Sequence, residues 1–108
     1  MQNRSVKLVD STGGVLATAK VADDEGIYTG TIDLQGAPPE LRALFDEFEE
    51  IVNGQMFVFL DDIQARIASR AIKAIFEDGC AAPVRDLQVF PKAGDVSFRL
   101  AGICSPTA

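Results

Sequence analysis

Three runs of alternating apolar and polar residues open the chain. VKLVD (6–10) and VLATAKVA (15–22) flank Ser11-Thr12-Gly13-Gly14, and two such runs around a Gly-Gly turn predict a hairpin. IYTGTIDL (27–34) follows the turn residues Asp23-Asp24-Glu25-Gly26. It sets Tyr28, Ile32 and Leu34 on one face against Thr29, Thr31 and Asp33 on the other. The first third therefore predicts a three-stranded antiparallel meander. Gly36-Ala37-Pro38-Pro39 breaks the third strand and starts a helix, with Glu40 complementing the helix dipole. From there the period lengthens. Apolar residues fall at 41, 44, 45, 48, 51 and 52, then at 56, 59, 60, 63 and 67, as one helical stripe.

Asn53-Gly54 interrupts that stripe and leaves two readings. One is a continuous helix over about 39–68; the other is a helix ending at Val52 and a short strand, QMFVFL (55–60). The continuous helix is preferred, because the stripe keeps its phase across the glycine. Asp62 and Arg66 are also spaced as an i,i+4 pair, and Arg66, Arg70 and Lys73 gather toward the C-terminal end. Period two then returns. AIKAIF (71–76) places Ile72, Ala74 and Phe76 together, residues 77–83 read as a loop, and VRDLQVF (84–90) reads as a strand. A turn at 91–95 leads to VSFRLA (96–101), with Val96, Phe98 and Leu100 inward, and residues 105–108 read as a frayed tail. The expected fold is α+β, ordered βββ-α-βββ: a meander, one long central helix, then a second three-stranded antiparallel segment, in a single domain over 1–108.

A helix of about 30 residues is about 45 Å long, whereas a compact chain of this length is roughly 33 Å across. Phe57 and Val58 also project away from the main stripe. Met56, Phe57 and Val58 are therefore expected to form an interface between copies, in a homodimer or a dimer of dimers. The alternatives are a buried central strand at 55–60, or a C-terminal hairpin wrapped over the helix's far side.

Composition and charge narrow the function classes. The 108 residues are 47% hydrophobic and 24% charged, enough for a core in one domain. The net charge of −6 argues against a nucleic-acid-binding surface, which requires a basic stripe. Between residues 40 and 62, Glu40, Asp46, Glu47, Glu49, Glu50, Asp61 and Asp62 face Arg42 alone. That cluster reads either as a solvated helix face or as a docking surface for a basic protein partner, with Asp46, Glu47 and Glu50 as the contact residues. It also permits, without favouring, an acidic mimic of nucleic acid.

The chain contains no histidine, which removes the commonest general base, the Ser/His and Cys/His dyads and imidazole metal ligands. Asp46, Glu49 and Glu50 lie within a turn of one another, but a wet helix face does not exclude solvent as acid/base catalysis requires. No catalytic, cofactor-binding or metal-binding residue is assigned. Asp23-Asp24-Glu25-Gly26 is too short to wrap an ion, and Gly13-Gly14 belongs to no phosphate-loop pattern. Cys80 and Cys104 form no metal-type pair and read as free thiols, with a disulfide left open. With no apolar leader at the N-terminus and no run long enough to cross a bilayer, the expected location is cytoplasmic, with no membrane contact.

The runs FDEFEEIVNGQMFVFLDDI (45–63) and DLQVFPKAGDVSFRL (86–100) resemble short bacterial proteins of unknown function, some of them carried as accessory or mobile genes. The resemblance implies a continuous helix followed by a hairpin, and it transfers no activity and no site residue. The functional expectation is a non-enzymatic, self-associating binding or accessory protein that uses its acidic helix surface. The alternative is a small-ligand-binding protein or minor enzyme with a pocket between helix and sheet or at the oligomer seam. Asp33, Arg85 and Arg99 are the strand-borne charges that would line such a pocket.

Overall fold

The computed structural model describes residues 3–101 and 105–106. β1 (Arg4–Val9), β2 (Val15–Asp24) and β3 (Ile27–Asp33) form the N-terminal meander. Its second turn is two residues long. Asp24 pairs with Ile27, and Glu25 and Gly26 both take positive φ, which is the mirror-image turn that suits the twist of a hairpin. In the first turn the Asp10 carboxylate accepts hydrogen bonds from the Thr12 hydroxyl and from the backbone N–H groups of Thr12 and Gly14. These bonds favour the ionised form, so the Asp10 carboxyl is held below its ordinary range, the Thr12 side chain contributing most.

The second set of strands is β4 (Lys73–Phe76), β5 (Cys80–Phe90) and β6 (Asp95–Leu100). These strands do not make a separate sheet. β6 pairs with β3, and β4 lies between β1 and β5, so the order β1-β2-β3-β6-β5-β4 returns to β1. Every pairing is antiparallel. The result is a closed six-stranded barrel, and this overturns the expected βββ-α-βββ arrangement around one long helix. A short β7 (Ser105–Pro106) adds to β5 outside the closed ring, where a frayed tail was expected, and β5 begins at Cys80, inside the expected loop. Cys80 is disulfide-bonded rather than a free thiol. Cys104 lies outside the described residues.

A small barrel must be filled by its own side chains. Here the filling is layered by register. Phe76, Val6, Ala19 and Ile32 stand side by side across four strands, and Ala74, Leu8 and Ala17 form the layer beside them. Val21, Gly30, Val96 and Val89 make the next layer. Small residues opposite large ones let the ring close. Gly30 is the tightest point: a Cβ there would lie 1.8 Å from the Lys20 carbonyl oxygen and 2.8 Å from the Val21 Cα. Only glycine lets β2 and β3 approach this closely in the curve of the wall. Beyond that layer Tyr28 stacks on Phe98 and tilts against Phe76, with ring centroids 5.4 and 5.3 Å apart, and the Arg4 guanidinium lies over the Phe76 ring while bonding Asp78.

The helical segment is α1 (Pro39–Asn53) and α2 (Leu60–Ala68), separated by a one-turn 3₁₀ segment, Phe57–Phe59. They pack on each other and on β5, and Leu41, Phe45, Phe48, Ile51, Ile63 and Ile67 join the barrel residues in one core. A continuous helix of about 45 Å would exceed the molecule's longest dimension of 40 Å. The break is local and specific. Met56 N–H bonds the Ile51 carbonyl, Gln55 N–H bonds the Val52 carbonyl, and Gln55 takes φ 56°. That is the reciprocal hydrogen-bond pattern that ends helices in the left-handed conformation. Glycine stands one position early, at the cap, and glutamine occupies the left-handed site.

Two outcomes test this account. Gly30→Ala is expected to lose about 3 kcal/mol or more of stability in urea unfolding, because the added carbon meets backbone rather than a movable side chain. Because the folded state depresses the Asp10 pKa, its contribution is present above the ordinary carboxylate range and is lost as pH falls through the folded value. Asp10→Asn is therefore expected to be less stable than wild type at neutral pH, and the two thermal midpoints should converge in acid.

Candidate functional site

Two surface features stand out from the rest of the barrel, and both are built by the broken helix. The first is the corner between α1 and α2. Met56, Phe57, Val58 and Phe59 are all exposed, Val58 to 84% and the two phenylalanines each to 56%. Their exposure has a different origin from the one expected. They sit at the tip of a tight turn, left uncovered by the other described residues, rather than on the far side of a long helix. Four consecutive apolar residues in water at one turn are unusual, because scattered single exposures are the norm.

Asp46, Glu47 and Glu50, expected to contact a partner, and their neighbour Glu49 divide into three groups. Asp46 and Glu50 are exposed on α1. Glu47 turns to the seam between the helices, where its carboxylate accepts a hydrogen bond from Arg66, whose guanidinium also pairs with Asp62 at 3.2 Å. Glu49 is 3% exposed and accepts a hydrogen bond from the Lys92 backbone N–H at 3.2 Å, tying α1 to the β5–β6 turn beside the Phe48–Phe90 ring contact. The candidate carboxylate trio Asp46, Glu49 and Glu50 is thus divided by burial. Among the described residues no group of three or more acidic, cysteine or histidine side chains could hold a metal ion.

The second feature is a groove of about 560 Å³ between the C-terminal half of α2 and the strands β4 and β5. Ile67, Ile72 and Leu87, all core residues, form its floor. Ala65, Ala68 and Ala71 keep the helix side low, and Lys73, Arg85 and Asp86 stand at its rim. Two backbone irregularities shape it. Ala71, just beyond α2, has φ 53°, and Asp86 has φ 52° at a bulge in β5 where the register against β6 slips between Arg85 and Gln88.

Arg85 and Arg99, two of the three strand-borne charges considered for a pocket, are direct cross-strand partners. Both remain exposed, with Asp86 near both, at 3.7 and 3.9 Å. Asp33 lies elsewhere, in a shallow polar concavity of about 370 Å³ on the outer face of β2 and β3 with Thr18, Lys20 and Thr31. Neither Lys73 nor Asp86 carries a signal in the sequence that points to this groove. The spacing of Ala65, Ala68 and Ala71 was the available signal, since three small residues at helical spacing leave a channel beside whatever the helix packs on.

Compared with known proteins, the chain matches no family model, no curated protein and no solved structure. No helix among the described residues is long and apolar enough to cross a membrane.

The helix corner yields a prediction. Gln55→Gly is expected to stabilise the protein by about 1 kcal/mol, since glycine occupies the left-handed region without the Cβ penalty. The urea midpoint should rise with an unchanged slope.

Proposed function

We propose that the protein is a non-enzymatic binding module that self-associates through the Met56–Phe59 corner and presents the outer face of α1 to a basic protein partner. The observation that carries this reading is the run of four exposed apolar residues at one turn. Burying that turn against a second copy would remove the largest run of exposed apolar side chains among the described residues. Asp46 and Glu50 stay outside such a contact as an acidic face. Glu47, engaged with Arg66, supports the helix pair rather than offering a free carboxylate. On location, the cytoplasmic expectation rests on the sequence alone. The bonded Cys80 supports an oxidising compartment instead, where disulfides persist.

Charge separates the two contacts by the sign of their salt dependence. Each copy carries −6, so copies repel at long range and screening strengthens an apolar self-contact. A basic partner on α1 would be weakened by the same salt. Sedimentation velocity of the wild-type chain is expected to give a species of at least twice 11.6 kDa, more strongly populated as salt is raised. Val58→Asp is expected to sediment as a folded monomer, with affinity between copies reduced by at least about a hundredfold. A wild-type chain that remains monomeric in high salt, or a folded Val58→Asp variant with unchanged mass, overturns the self-contact.

A further inference from the structure

The groove between α2, β4 and β5 carries an inference independent of the helix corner. Its floor is apolar and continuous with the core, and its rim sets two cations, Lys73 and Arg85, against the single acid Asp86 in a protein whose net charge is −6. Lys73 has no ion pair among the described residues. Arg85 has one acidic neighbour, Asp86, at 3.7 Å, which is a charge contact longer than a hydrogen bond. Arg99 reaches the same carboxylate at 3.9 Å. Among the described residues one carboxylate is thus shared by two guanidiniums, and no other acid pairs with either, which leaves N–H donors for a further anion.

The local backbone is also set against ordinary stability. Like charges directly opposite on neighbouring strands repel, and Arg85 and Arg99 occupy such a pair. Two of the four described non-glycine residues with positive φ, Ala71 and Asp86, belong to the groove wall. Strain of this kind gathers where a surface is shaped for binding. The bulge at Asp86 has a direct geometric effect: it sets two residues of β5 against one of β6, placing Asp86 at the rim and Leu87 in the floor.

We propose that this groove binds a free amphiphilic monocarboxylate. Its apolar chain lies over Ala65, Ala68, Ile72 and Leu87, and its head group is held by Arg85 with Lys73. The volume, about 560 Å³, falls within the range of about 300–1,000 Å³ typical of small-ligand sites. A guanidinium with open donors matches a carboxylate through two parallel hydrogen bonds. The charge at the rim selects an anionic head over a cationic or neutral one. The low alanine side of α2 selects a slender chain over a broad ring system.

The test is an NMR titration of the full chain with decanoate, decanol and decyltrimethylammonium, each below its micelle concentration, with vesicles of anionic phospholipid as a further arm. Saturable decanoate binding is expected, with amide shifts centred on Ala65, Ala68, Ala71 and Val84. Decanol should bind about tenfold more weakly and the cationic amphiphile not at all. Arg85→Gln and Lys73→Gln, both at exposed positions, should each weaken decanoate roughly three- to tenfold and leave decanol unchanged. Ala68→Trp, also at an exposed position, should fill the groove and abolish both. Equal binding of all three amphiphiles, shifts centred on Met56–Phe59, binding to vesicles without binding to decanoate, or no saturable shift would each overturn the assignment.

Discussion

β4 is four residues long and pairs on both sides, with β1 through Val6–Phe76 and Leu8–Ala74 and with β5 through Ala74–Ala82. Without that strand the remaining five would form an open sheet with unpaired edges at β1 and β5. With it, the wall is continuous and its inner layers are completed. Phe76 stands beside Val6 and reaches the Tyr28 ring, so one short strand both closes the hydrogen-bonded ring and supplies the aromatic plug at one end. The two helices depend on this arrangement as well. Phe45, Phe48, Ile63 and Ile67 can be buried only because the barrel presents a closed apolar rim for them to cover.

The alternating runs were legible as strands because a half-buried strand needs a period of two whatever sheet it joins. Their partners were not legible. The pairing of Lys7 with Ile75, or of Thr29 with Ser97, leaves no mark within either run. Gly30 held the one local hint, a glycine in the middle of a strand pattern, which signals curvature or close approach. The break between α1 and α2 is masked in the sequence for an identifiable reason. Leu60, Ile63 and Ile67 do lie on one face, and so do Leu41, Phe45 and Phe48, and the two stripes happen to agree in phase across the interval between them. Gln55 occupies a backbone conformation that glycine usually signals, so the cap was hidden while Gly54 looked like a tolerated weak point.

The same break explains why the two surface features are what they are. Had the helix continued, Phe57 and Val58 would have lain along its side, and α2 could not have turned back to lean on β5. The corner places four apolar side chains outside the fold, and the returning helix makes the groove wall. Asp33, Arg85 and Arg99 were recognisable as charges on strands. Only the slipped register of β5 brings Asp86 between two arginines at the mouth of a groove, and a bulge has no sequence pattern comparable to a turn's.

The register of β1 has a consequence for how the chain reaches this state. Val6 meets Phe76 and Ile27 meets Arg99, each pair separated by roughly two thirds of the sequence. The first contact cannot form before residue 76 has been made and the second not before residue 99, so until then both edges of the N-terminal meander lack these partners. Such long loops close slowly, and open edges recruit other chains. The acids clustered between residues 40 and 62 follow that meander directly from the ribosome. They add negative charge beside the meander, and like charge opposes association between copies.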